Sequence, residues 1–263
     1  MCKIISIASC KGGVGKSTTV MNLGTALAMQ GNKVLAVDND AQASLTKFLI
    51  QERSPEVSLP DLIKAVMENA TAEEIEILTE QSITKTKHID LITSNIKMAG
   101  LEIGMAMITN RERVLEEILQ CVRGNYDFIL IDNAPSLGIF VVNALTASDS
   151  VIIPVETHYA ALEGFDLIID SIKMVKRKLN PKLEIEGVIM TKHQEITTMC
   201  KTIRELIKSE CGGNIRLFDT PVPYSIKVAE SPAFGTSIFE HDKKNSAGKV
   251  YEKIAWEVAE NGK

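Results

Sequence analysis

Residues 10 to 19 read Cys-Lys-Gly-Gly-Val-Gly-Lys-Ser-Thr-Thr, and no other run restricts the fold as much. A turn that wraps a polyphosphate needs inward-pointing backbone N–H groups, positions without a Cβ, a lysine for the β/γ oxygens and a hydroxyl for Mg²⁺. Gly12, Gly13, Gly15, Lys16 and Ser17 supply these, with Val14 and Thr18 completing the loop. An apolar run at 4–8 precedes it and a helical pattern at 17–29 follows, so the phosphates meet a helix N-terminus. A plain glycine-rich surface turn would lack this strand–loop–helix register.

Strand and helix patterns alternate along the rest of the chain, which predicts an α/β fold, a doubly wound and mainly parallel sheet flanked by helices. Strands are expected at 4–8, 33–37, 89–92, 128–131, 151–155, 185–190 and 215–218. Runs such as Val34-Leu35-Ala36-Val37 and Phe128-Ile129-Leu130-Ile131 lack polar alternation, as central strands covered on both faces do. Helices are expected at 114–121, 162–179, 202–209 and 249–260, and the polar stretch 51–60 reads as a loop. No linker or repeat breaks residues 1–263, so one domain is expected.

Ligands on such sheets bind beyond the carboxyl ends of strands, and two expected strands end there in aspartate. Val37 leads into Asp38-Asn39-Asp40, whose carboxylates can hold Mg²⁺ through its water shell and orient an attacking water. An ordinary Asx-rich turn is the alternative. Ile131-Asp132, after an apolar run, has the form of a Walker B aspartate that binds Mg²⁺. A third edge, Met190-Thr191, carries a threonine.

The lysine before the glycines makes the loop unusual. Lys11 to Ser17 resembles the deviant Walker A signature of the ParA/MinD family of ATPases, in which the first lysine reaches the partner's nucleotide across a dimer. Asn133 to Gly138 resembles that family's switch segment, with Ala134 in place of a proline. Ala41-Gln42-Ala43 stands where relatives have Pro-Gln-Gly, a change expected to affect stiffness rather than chemistry. Residues 143–150, 159–164, 183–188 and 229–235 are similar to the small, Soj-type subgroup.

The resemblance implies an ATP-dependent homodimer that hydrolyses ATP with Mg²⁺. Lys11, Lys16 and Asp40 would be catalytic, and Ser17, Asp38 and Asp132 would serve the metal. Thr191, Pro221 and Pro223 would frame the adenine beside the loop. It further implies stimulation by a ParB-type partner, a cytoplasmic and nucleoid-associated location, and weak, non-specific DNA binding by the ATP dimer. With its first strand at the start, the chain is expected to lack an operator-reading extension. The usual DNA-contacting arginines are replaced, since Gln194-Glu195-Ile196-Thr197 and Pro223-Tyr224-Ser225 stand in their places. Lys192, Lys201, Arg204, Lys208 and Lys227 are the candidate substitutes; solvated helix lysines, and a switch acting on a protein partner without DNA, are the alternatives.

Composition excludes other classes. A net charge of −5 gives no general attraction to nucleic acid, so DNA binding needs a local basic patch. Five irregularly spaced cysteines without a C-x-x-C, and four scattered histidines, point to free thiols in a reducing compartment and away from a metal cluster. Ile7-Ala8-Ser9-Cys10 faintly matches a lipoprotein cleavage box but is better explained by strand entering loop. No run reaches the ~18 apolar residues of a membrane span. Residues 249–260 carry Val250, Ile254 and Val258 on one stripe among acidic residues, a packing helix rather than the basic membrane helix of a MinD-like positioner. A metabolic ligase would need a small-molecule pocket and an iron–sulfur reductase symmetric cluster cysteines, neither of which is legible.

Overall fold

The structure is a computed structural model that describes residues 2–51, 55–157, 161–194, 205 and 215–260. Strands β1 (Lys3–Ile7), β2 (Val34–Asn39), β3 (Ile83–Lys85), β4 (Asp90–Ile92), β5 (Phe128–Asn133), β6 (Ser150–Glu156) and β7 (Glu184–Thr191) form one sheet in the order β3-β4-β2-β5-β1-β6-β7. Every pairing is parallel except β3 with β4 at the edge. β1 lies between β5 and β6, so the glycine loop leaves the sheet near its centre, where adjacent connections run to opposite sides.

Helices cover both faces. They are α1 (Lys16–Met29), α2 (Ser44–Leu49), α3 (Leu59–Met67), α4 (Ala72–Ser82), α5 (Lys97–Met105), α6 (Val114–Gln120), α7 (Ile139–Ala147), α8 (Ala161–Lys178), α9 (Ile226–Glu230), α10 (Ile238–His241) and α11 (Ser246–Glu260). On one face Val20, Leu23 and Leu27 of α1 pack with Tyr251, Ile254 and Val258 of α11 against Ala36 and Leu130 of the sheet. Beneath the other face, Leu62, Ile118 and Leu119 meet Leu35, Val37, Ile129 and Ile131. Alternate strand residues thus enter opposite cores, and the continuous apolar runs follow from that. α11 is the packing helix its stripe predicts, and among the described residues no helix is long and apolar enough to cross a membrane.

Several expectations change. Residues 215–218 form no strand: Leu217 makes only an isolated parallel bridge to Val188, with Val188 N–H donating to Arg216 O and Phe218 N–H to Val188 O. The expected loop at 51–60 ends early, because Ser58 and Asp61 close a capping box with Pro60 in the first turn of α3. The edge strand β3 was not foreseen. The helix expected at 202–209 lies outside the described residues.

Candidate active site

The glycine loop is shaped by two left-handed residues, Gly13 (φ 74°) and Gly15 (φ 89°), conformations that a Cβ would strain. Gly15 caps α1, and its carbonyl accepts from Thr19 N–H at 2.8 Å. Gly12 differs: its φ is ordinary, and a Cβ there would meet nothing within 4 Å. Among the described residues nothing demands a glycine at 12. The Lys16 ammonium is buried and donates to Lys11 O at 3.1 Å and Ser9 O at 3.4 Å. Burial lowers its pKa, opposed by the charges of Asp132 and Asp40.

β2 and β5 bring the aspartates together. Asp38 and Asp132 are paired in register, so their side chains leave the same face of the sheet. Asp132 is fully buried, neither carboxylate oxygen has a hydrogen-bond partner among the described residues, and burial followed by the charge of Asp38 raises its pKa well above the carboxylate range. The Ser17 hydroxyl and the Lys16 ammonium oppose that rise from nearby; Ser17 does so without closing a hydrogen bond. An orphaned buried carboxylate is costly unless something cationic completes it. Asp132 and Ser17 therefore fit Mg²⁺, which they would hold and which would supply positive charge against the phosphates.

Asp38 is otherwise engaged. Its Oδ2 accepts from both the backbone N–H and the hydroxyl of Thr46 at 2.7 Å, and its Oδ1 from Asp40 N–H at 3.3 Å. Burial pushes its pKa up to about 6 despite these donors. Asp38 thus shapes the strand end and adds negative charge, while its hydrogen bonds occupy the oxygens a directly bound metal would use. Asp40 points into the partly open edge, where its Oδ1 accepts from Gln42 N–H at 2.9 Å. Ala43 then adopts a left-handed conformation (φ 51°) at the start of α2, so glycine's absence there introduces strain as well as stiffness.

Thr191 and Pro223 line a cleft of about 120 Å³ with Gly13, Val14, Gly15 and Thr18. Thr191 Oγ1 donates to Val14 O at 2.8 Å, fastening β7 to the glycine loop. Pro221 is not among the lining residues: the chain joins β7 one residue later, where Val222 N–H donates to Met190 O. Tyr224 and Tyr251 also border this cleft.

Sequence reasoning did not foresee Glu156. At the end of β6 it lies 3.7 Å from the Lys11 ammonium and 3.6 Å from that of Lys192, one carboxylate serving both. Lys227 pairs with Glu230 at 3.0 Å. Both described lysines of the candidate DNA patch therefore have acidic partners, exposed pairs of the kind that exchange readily. Lys201, Arg204 and Lys208 lie outside the described residues, as do Glu195, Ile196 and Thr197. Thr46 and the Asn39–Asn133 amide pair were also missed. Cys2, Cys10 and Cys121 are free thiols, and among the described residues no group of histidine, cysteine and acidic side chains forms a metal cluster.

Known proteins share this architecture. A family model described as an AAA domain matches residues 2–185. The chain is 37% identical over 263 residues to the sporulation initiation inhibitor protein Soj of Bacillus subtilis, covering all of both chains. It is 33% identical to the chromosome partitioning protein ParA of Caulobacter vibrioides over 97% of this chain and 93% of that one. The solved structure of cobyrinic acid a,c-diamide synthase from Mycobacterium smegmatis, with a bound ATP analogue and magnesium, is 27% identical with a TM-score of 0.79 over 97% and 93% of the two chains. The glycine loop, the paired strand-end aspartates and full-length similarity to Soj and ParA agree, and the chain belongs to the ParA/Soj-like family of partitioning ATPases, using ATP and Mg²⁺.

Proposed function

We propose that this ATPase is a dimerising switch of DNA partitioning. ATP closes two protomers face to face, hydrolysis to ADP and phosphate reopens them, and a ParB-type partner accelerates that step. The observation that carries this reading is Gly12 beside Lys11. A Cβ at Gly12 would meet none of the described residues within 4 Å, which supports a requirement for glycine there that comes from a second backbone. Among the described residues Lys11 is held by one part-exposed carboxylate, an arrangement from which a lysine can be transferred to a partner's triphosphate.

The residues divide the work. Lys16 and the loop N–H groups bind the phosphates, Ser17 and Asp132 hold Mg²⁺, Asp38 supports that region, Asp40 orients water, and Thr191 and Pro223 border the base. The output is non-specific binding of the ATP dimer to DNA at the nucleoid of a cytoplasmic protein, through Lys192, Lys201, Arg204, Lys208 and Lys227. A second reading has a specific basis: Lys192 and Lys227 are each paired with an acid, which favours a switch acting on a protein scaffold. Titration of an Asp40→Ala ATP dimer with long duplex DNA separates the two. The DNA reading expects sequence-independent binding whose log affinity falls with log salt at a slope of about −0.9 per phosphate neutralised. No binding at low ionic strength overturns it and leaves the ATPase switch standing.

A further inference from the structure

Two buried amides link the strand ends that carry the chemistry. Asn39 and Asn133 are opposite one another in the β2–β5 register, each one residue beyond an aspartate of the site, and each is 1% exposed. Side chains alternate across a sheet, so the amides occupy the face opposite Asp38 and Asp132. Asn39 Nδ2 donates to Asn133 Oδ1 and to Phe140 O, both at 2.9 Å. Asn133 Nδ2 donates to Ile7 O at 3.2 Å and to Ile131 O at 3.4 Å. The path of bonds runs from the last residue of β1, which leads into the glycine loop, through β5 and β2 to the first turn of α7.

Apolar side chains would fill such a space without the risk of unpaired amides, so the pair calls for a reason beyond filling. Its connections supply one. Residues 134–138 leave the core between Asn133 and α7, and Pro135, Ser136 and Leu137 are exposed. Both roots of this segment, the Asn133 side chain before it and the Phe140 carbonyl after it, accept from the same nitrogen of Asn39. Asn39 in turn stands between Asp38 and Asp40. A movement of 134–138 that separates its roots must break these bonds or carry Asn39, and Asp40 with it.

We infer that Asn39 and Asn133 are positioning residues of ATP hydrolysis, an amide link that keeps Asp40 in step with the segment 134–138. The inference rests on the proposed role of Asp40 in orienting water and deepens it: the relay moves no proton, and its product is geometry. Asn39→Ala, Asn133→Ala and the double variant test it through kcat, ATP affinity and hydrogen exchange of 134–138 in the nucleotide-free protein. Each single change should lower kcat by about tenfold or more while ATP affinity stays within about threefold, because the phosphate-binding groups are untouched. Exchange in 134–138 should rise, and the double variant should be no slower than the worse single, as expected of two parts of one unit. Asn39→Ser, which keeps one hydroxyl donor, serves if alanine at 39 does not fold and should also lower kcat. An unchanged kcat with only a lower melting temperature, multiplicative losses in the double variant, or unchanged exchange would each overturn the link. Exchange is read without nucleotide, so it reports the coupling even if Asp40→Ala were to show that water is oriented by another residue.

Discussion

Replacing Asp132 by asparagine should stabilise the nucleotide-free protein at neutral pH while destroying its use of Mg²⁺. In the folded chain Asp132 is buried beside Asp38 with no hydrogen-bond partner among the described residues, and both have pKa values raised above the ordinary 3.8, Asp38 to about 6. A carboxyl with a raised folded pKa keeps a proton that the unfolded chain has released, so stability falls as pH rises from the unfolded value through the folded one. For Asp38 alone, the loss between about pH 5 and about pH 7 is on the order of 1 kcal/mol. Asp132 adds loss of the same sign. Carboxylates lowered by partners, Glu74 by the Thr71 cap and Asp242 by Asn245, titrate below this window. Asparagine removes one buried charge and relieves the other, a gain on the order of 2 kcal/mol at neutral pH. Urea denaturation followed by circular dichroism, with chelator and without nucleotide, should show wild type losing stability over this range and Asp132→Asn losing less. Added Mg²⁺ and ATP should stabilise wild type and not the variant. A wild type as stable at pH 7 as at pH 5, or a variant less stable than wild type at pH 7, would contradict raised pKa values at Asp38 and Asp132.

Other expectations are equally direct. Ala43→Gly should raise stability by about 0.5 kcal/mol in the same denaturation assay, since relief of a left-handed alanine, about 1 kcal/mol, is partly offset by the freer unfolded chain. Lys16→Ala should abolish ATP binding measured by calorimetry while the sheet still forms, because its charge opposes the β/γ oxygens. Gly12→Val should melt like wild type, its Cβ meeting none of the described residues, yet fail to dimerise with ATP in sedimentation velocity.

Much of the fold was legible because both faces of the sheet are covered. The runs of β2 and β5 are apolar throughout, and only a buried parallel strand makes such a run useful. β3 escaped notice because three partly exposed residues at an edge carry no such pattern. The start of α3 was readable in Ser58-x-x-Asp61 with Pro60 between them, a cap signal masked by its polar surroundings. At the site, the glycine loop and the aspartates were visible because each lies next to a strand in the chain. Glu156, the Thr46 clasp on Asp38 and the Asn39–Asn133 bond depend on contacts made only by folding. Asn39 and Asn133 are 94 positions apart, joined by sheet register that no local pattern reveals. The two departures at 41 and 43 were visible, but the left-handed turn that makes Ala43 strained was not.

The central claim is that nucleotide state sets assembly. Light scattering of Asp40→Ala with Mg²⁺ is the test, because loss of the carboxylate proposed to orient water should leave ATP bound and unhydrolysed. Twice the protomer mass is expected with ATP and a single protomer with ADP. A single protomer in both, with ATP shown to be bound, would contradict it.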